Sequence, residues 1–251
     1  MSGHSRWSQI KRKKGKTDVQ RGKLFSKILR EITVAARNGG GDIKGNLRLK
    51  AATESARAAN MPADNIKRAV QKGTGELPGE QYEEITYEGI GPANVAVIVA
   101  AMTDNRNRTA SEIRSVFSKM GGSLAPVAWQ FAQKGIISIP LNGRDSDEVT
   151  LAAIDAGASD VSPPDAGAIV VMTEPADLES VRRALADAGY EADSAELSME
   201  PTTRVEIADE GTAKQVLMFT ERLEDLDDVQ NVYANFDIPG ELMERLEAQV
   251  V

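Results

Sequence analysis

The spacing of apolar residues changes at about Gly79, and this change constrains the fold more than any other feature. Before Gly79, apolar residues recur every three or four positions, as on one side of an α-helix. Beyond it, short strand-like runs are separated by helical segments. At 251 residues the chain is also long enough for more than one core, because domains commonly span about 100–150 residues. We therefore expect an α+β multidomain protein whose N-terminal domain is helical.

The N-terminal part predicts three amphipathic helices that close one small core. A capping-box string at residues 17–20 opens the first, and the glycines after Asn38 end it. The second runs from about Asn46 to Ala59, and the third from Pro62 to Gly73. One side of the first helix is apolar, and four cations lie on the opposite side at ~100° per residue. We call these four the cationic stripe: Lys23, Lys27, Arg30 and Arg37.

Positive charge is concentrated in this N-terminal part. Residues 1–76 contain 18 Lys or Arg and 6 Asp or Glu, whereas the remaining 175 contain 12 and 32, so the net charge is −8. A basic head beside an acidic body predicts that the head binds a polyanion and that the body is repelled by it. The alternative is that the charges only solvate the helices. A basic arm precedes the first helix: Lys11, Arg12, Lys13, Lys14 and Lys16.

The acidic body predicts two α/β domains. Residues 82–88 alternate in polarity, and residues 93–102 form a continuous apolar run typical of a buried strand. A second capping-box string, at residues 109–112, predicts a helix that ends at Gly121, and residues 128–131 predict a short strand. Residues 136–201 follow the order strand, helix, strand, helix, strand, which indicates a ferredoxin-like sandwich.

The domain boundaries follow from how the first sheet is covered. The segment from Tyr82 to Phe131 has too few helices to cover its sheet, so we expect the C-terminal segment to complete it. The predicted domains are 1–76, 77–135 together with 202–251, and an inserted domain 136–201.

The residues between the apolar run and the next helix are candidates for a second anion site. Free N–H groups at a helix start and two arginines could bind phosphate. The alternative is a structural loop in which the Asn and Asp side chains cap backbone groups and the arginines pair with carboxylates. The candidate residues are Asn105, Arg106, Asn107, Arg108 and Thr109.

Catalytic, cofactor and metal sites are not indicated. The chain has no cysteine and a single histidine, His4, and it lacks P-loop and HExxH strings. Trp7 could stack on a base or anchor the arm on a protein surface. Acidic pairs such as Asp227-Asp228 are interpreted as solvated charge.

Four strings show a resemblance to a known family: GHSRW, RGKLFSKILREITVAARNGGGD, NMPADNIKRAVQKGTG and YEEITYEGIGPANVAVIVAAMTDNRNRTASEIRSVFSKMGG. With them the chain resembles the YebC/PmpR family, which includes bacterial proteins named as transcriptional regulators and a mitochondrial translational activator. The resemblance implies a three-helix domain followed by two α/β domains, without known catalytic activity. Ile43 and Leu47 stand where the family often has proline, and residues 121–129 form a shorter segment than usual.

We predict a non-enzymatic, DNA-binding transcriptional regulator that binds nucleic acid through its basic N-terminal domain. The arm, Arg21 and the cationic stripe would contact phosphates, mainly through counterion release. One alternative is a ribosome-associated translation factor that contacts ribosomal RNA or tRNA. Another is a protein-interaction module whose acidic body binds basic partners, while the basic head only docks onto that body. No apolar run is long enough to span a bilayer. No apolar signal-peptide region follows the basic N-terminus, so we expect a cytoplasmic protein. We also expect no cofactor, and the sequence favours no oligomeric state.

Overall fold

The computed structural model describes residues 18–164 and 167–248. Within them the chain forms two compact units. One contains residues 128–205 and 235–237, and the other contains the helical N-terminal part, the segment to residue 127, and residues 206–234 and 238–248. The basic arm, His4 and Trp7 lie outside the described residues.

Three helices form the N-terminal domain, as predicted: α1 (Asp18–Gly39), α2 (Leu47–Ala58) and α3 (Ala63–Gly73). Their apolar faces meet in one core around the buried Ile32, Leu49 and Ile66. The buried side chain of Asn46 caps α2, because its Oδ1 accepts a hydrogen bond from Leu49 N at 3.0 Å. Its Nδ2 donates to the carbonyls of Ala35 and Gly40, which fixes the turn between α1 and α2.

The rest of the described chain alternates strands and helices. The strands are β1 (Glu83–Ile90), β2 (Ala96–Thr103), β3 (Ser123–Leu124), β4 (Phe131–Pro140), β5 (Asp160–Val161), β6 (Ala168–Thr173), β7 (Ser194–Pro201), β8 (Val205–Glu206), β9 (Val229–Ala234) and β10 (Phe236–Asp237). The helices are α4 (Arg106–Lys119), α5 (Ser146–Asp155), α6 (Leu178–Asp187), α7 (Glu210–Glu224) and α8 (Gly240–Ala248).

The first sheet has the antiparallel order β3-β1-β2-β9. Strand β2 is one of its two inner strands and is buried along nearly its whole length, as the apolar run predicts. Helices α4 and α7 pack together through Phe117 and Phe219, whose rings meet edge to face with centroids 5.0 Å apart. The ring of Phe117 lies over Gly89, where a Cβ would come within 2.2 Å of it.

The second sheet has the order β5-β6-β4-β7, and all its pairs are antiparallel. Helices α5 and α6 pack on it over a core that includes Ile137, Val149 and Leu185. The strand order and connections are those of a ferredoxin-like domain. The α+β fold class, with helices first and sheet domains after, is confirmed.

Two local predictions are wrong. Helix α4 begins at Arg106 rather than at the capping box of residues 109–112, because Asn105 accepts a hydrogen bond from Arg108 N and caps the helix earlier. Residues 128–130 form a 3₁₀ turn instead of a strand, and β4 starts directly after it. The two-residue strands β3 and β5 were not predicted. The predicted domain boundaries stay predictions.

Candidate nucleic-acid interface

Three residues of the cationic stripe contact the end of α7. Lys27 Nζ donates to the carbonyl of Glu224 at 2.7 Å, and Lys23 Nζ donates to the carbonyl of Asp225 at 3.0 Å. Arg30 donates to the carbonyl of Asp227. We call this set of contacts between α1 and residues 224–228 the clasp.

The clasp has a simple electrostatic cause. The last carbonyls of a helix have no partner within the helix, and the helix dipole places partial negative charge there. The stripe supplies cations at positions i, i+4 and i+7, which lie on one face of α1. The carboxylate of Asp225 adds a longer ion pair with Lys23 at 3.8 Å. Charged donors to carbonyls of the last residue of α7, its cap and the turn that follows therefore hold α1 against the end of this helix.

Asp228 is the buried centre of this region, with an exposed fraction of 2%. The hydroxyls of Thr103 and Thr109 donate to its Oδ2 at 3.0 and 2.7 Å, and Arg108 Nη2 donates at 2.7 Å. Arg30 Nη2 lies 3.4 Å from its Oδ1. Burial alone would raise the pKa of Asp228, but the hydrogen bonds from Arg108, Thr109 and Thr103 outweigh it and hold that pKa below its ordinary value. The interpretation of Asp228 as solvated charge is therefore wrong.

The predicted anion site at the start of α4 holds this carboxylate. Asn105 caps the helix, and Arg108 also pairs with Asp104 at 2.7 Å. Arg106 and Asn107 are exposed. For Asn105 and Arg108 these contacts match the structural alternative of a capping side chain and a paired arginine, and Thr109 is also engaged through its hydrogen bond to Asp228. Binding of an external phosphate at this site stays a prediction.

Arg48 joins the helical domain to the first sheet. Its guanidinium donates to both carboxylate oxygens of Glu31 on α1 and of Glu84 on β1, at distances from 2.6 to 3.2 Å. Hydrogen bonds from Arg48 lower the pKa of Glu84 despite partial burial. Arg48 is thus engaged within the protein.

The remaining cations of the helical domain differ in their surroundings. Arg37 is exposed in the last turn of α1, and Arg21 is exposed near its start. Five other residues, on α2, on α3 or in the loop before α2, are also exposed, and these five form no ion pair with any described residue: Lys44, Arg57, Lys67, Arg68 and Lys72. A count of charges along the sequence does not separate engaged from open cations. That separation depends on partners distant in the chain.

Comparison with known proteins assigns the family. The profile described as the TACO1/YebC protein N-terminal domain matches residues 5–76, and that of the TACO1/YebC second and third domain matches residues 82–236. The chain belongs to the TACO1/YebC family. Two relatives named "Probable transcriptional regulatory protein", from Moorella thermoacetica and Syntrophus aciditrophicus, are 54% and 52% identical. The alignments cover 98% and 99% of this chain and all of each relative.

A solved structure has the same fold. The crystal structure of a conserved hypothetical protein from Aquifex aeolicus matches with a TM-score of 0.85 and 48% identity, over 93% of this chain and 97% of that one. The TACO1/YebC relatives support the resemblance stated from the sequence. Within the described residues, every helix is too short or too polar to span a membrane.

Proposed function

We propose that this TACO1/YebC protein is a non-enzymatic regulator of gene expression that binds DNA through its basic N-terminal domain. The observation that carries the proposal is the separation of charge, with 18 cations against 6 anions in residues 1–76 of an otherwise acidic chain. Lys and Arg of such a domain neutralise phosphates and release counterions. The names of the relatives are consistent with a regulator.

The arm, Arg21 and the cationic stripe are the proposed phosphate contacts. Arg37 can make such a contact in the arrangement described, because it is exposed at the end of α1. Lys23, Lys27 and Arg30 would have to exchange the carbonyls of the clasp for phosphate oxygens. Lysine and arginine contacts to phosphate position a protein but do not read base sequence. Sequence preference would then come from DNA shape or from a partner protein.

The test is a salt titration of the full chain with a fluorescent DNA duplex and with an RNA hairpin of equal length. If about six phosphates are neutralised, log K falls with log salt at a slope of roughly −5 for the duplex. Replacing Arg37 with Gln should make the slope of log K against log salt shallower by about 1. The matched control is Arg183→Gln, which removes an exposed arginine from α6 and should leave the slope unchanged.

Two outcomes would contradict the proposal. Absence of binding to both probes at low salt would exclude a nucleic-acid-binding domain. Binding to the hairpin alone would exclude DNA as the target and favour the translation-factor alternative.

A further inference from the structure

A groove of about 690 Å³ lies between α1, α3 and the segment that leads into β1. Ser26 and Arg30 line it from α1, Asn65, Arg68 and Lys72 line it from α3, and Tyr82 lies at the end of the connecting segment. This groove lies beside the clasp, and Arg30 belongs to both.

Arg68 and Lys72 are the open cations of the groove. They are four positions apart on α3, so their side chains lie on the same face of the helix. Both are exposed, and neither forms an ion pair or hydrogen bond through its side chain with any described residue. The aliphatic stem of Lys72 lies against Gly79, where a Cβ would be 3.1 Å from its Cβ. The Lys72 stem is thus supported while its charge stays accessible.

Negative charge in the groove comes from a single side chain among the described lining residues. Glu80 is the single carboxylate among the described lining residues, and it accepts a hydrogen bond from Tyr82 Oη at 2.5 Å. The guanidinium carbon of Arg30 lies 5.6 Å from the centre of the Tyr82 ring. That face of the ring is occupied, so it cannot stack on a base. Three cations against one carboxylate give the described lining of the groove a net positive charge, which suits a phosphate chain.

We propose that the groove between α1 and α3 binds the phosphodiester backbone of a nucleic acid, with Arg68 and Lys72 as the phosphate contacts. The proposal rests on the proposed function and adds a site that the sequence analysis did not assign. No contact of the clasp has to break for a phosphate to reach these two side chains. Binding there is independent of base sequence, because both groups contact only phosphate oxygens.

The test compares two double variants of the full chain, each losing one arginine and one lysine from the helical domain. Arg68→Gln with Lys72→Gln removes the groove cations. Arg57→Gln with Lys67→Gln removes two exposed cations that do not line the groove. In a salt titration with one labelled duplex, the groove variant should lose ~tenfold in affinity near 0.1 M salt, and its slope should be shallower by about 2. The variant Arg57→Gln with Lys67→Gln should lose much less affinity for the duplex.

A second pair of variants keeps the test informative if the groove double variant does not fold. Asn65→Asp places a carboxylate in the groove from α3, and Ser55→Asp places one on the exposed surface of α2. The side chain of Asn65 forms no hydrogen bond with any described residue, so its replacement is a local change. Weaker duplex binding by the Asn65 variant alone supports the groove.

Three results would overturn the inference. If both double variants lose affinity equally, the charge acts diffusely and the groove is not a site. If the groove variants bind the duplex as tightly as the unchanged protein, the groove is not a phosphate site, while the proposed function stands. If the unchanged protein binds no nucleic acid, both proposals fail.

Discussion

At the scale of single residues, the close approach of α1 and α3 depends on Gly73. A Cβ at this position would lie 2.4 Å from the carbonyl oxygen of Thr33 and 2.7 Å from the Cβ of Ala36. Gly73→Ala should therefore lower the free energy of unfolding by about 1–3 kcal/mol, the usual cost of overpacking. Urea unfolding followed by circular dichroism measures the change.

Gly22→Ala is the matched control for this substitution. It lies in α1, and a Cβ there would have no neighbour within 4 Å. Alanine is the better helix former, so this variant should be more stable by about 0.5–1 kcal/mol. A stabilising effect at both glycines would contradict the close packing at Gly73.

At the scale of elements, Asp228 joins β2, α4 and the loop before β9 through its carboxylate. Its pKa is lower in the folded protein than in an unfolded chain, where an aspartate titrates near ~3.9. The stabilisation is therefore present above that pH and is lost as the pH falls through the lower folded pKa. Asp228→Asn should cost about 1–3 kcal/mol near neutral pH and progressively less in acid.

The measurement is the difference in unfolding free energy between the protein and Asp228→Asn at several pH values. Asp227→Asn is the control, because it removes the neighbouring carboxylate from an exposed side chain. If the difference for Asp228→Asn does not shrink in acid, the carboxylate is not the charged acceptor described above. An equal pH dependence of the unfolding free-energy difference for Asp227→Asn would contradict the prediction as well.

The elements that could be predicted from sequence are those with a local cause. Helices α1 to α3 match the predicted segments to within two residues, because apolar period and turn residues specify them nearby in the chain. The two-residue strand β3 could not be predicted, since it exists only through pairing with β1. The capping-box string at residues 109–112 gives the wrong start for α4, because Asn105 caps the helix earlier and the Thr109 hydroxyl donates instead to Asp228, 119 positions away.

The candidate site also combines features that have a local cause with features that depend on distant residues. The sequence places Lys23, Lys27 and Arg30 on one face of α1, and that placement needs only the helical period. Their carbonyl partners are about 200 positions further along the chain and cannot be predicted from α1. Arg68 and Lys72 were likewise counted as charge, whereas the groove that gives them a role forms only when α1 and α3 pack.

At the scale of the whole molecule, the clasp brings part of the basic N-terminal domain against the acidic body. Charge separation along the sequence therefore does not produce two independent surfaces. We predict that Lys23→Gln, Lys27→Gln and Arg30→Gln together loosen the helical domain from α7, because glutamine lacks the charge and reach to bind the helix-end carbonyls. Because the chain contains no cysteine, two cysteines can be introduced and each can carry one spin label. Ser55 on α2 and Met218 on α7 are exposed positions for these labels.

Distance distributions between these labels test both the clasp and its relation to nucleic acid. The unchanged protein should give one narrow distribution and the triple variant a broad one, while Arg57→Gln with Lys67→Gln should stay narrow. A narrow distribution in the triple variant would show that other contacts, such as those of Arg48, hold the domain.

The same measurement with added duplex DNA distinguishes between the two proposed phosphate surfaces, the stripe and the groove. If the stripe exchanges its carbonyls for phosphates, the distribution of the unchanged protein broadens on binding; if phosphate binds in the groove with the clasp intact, it stays narrow.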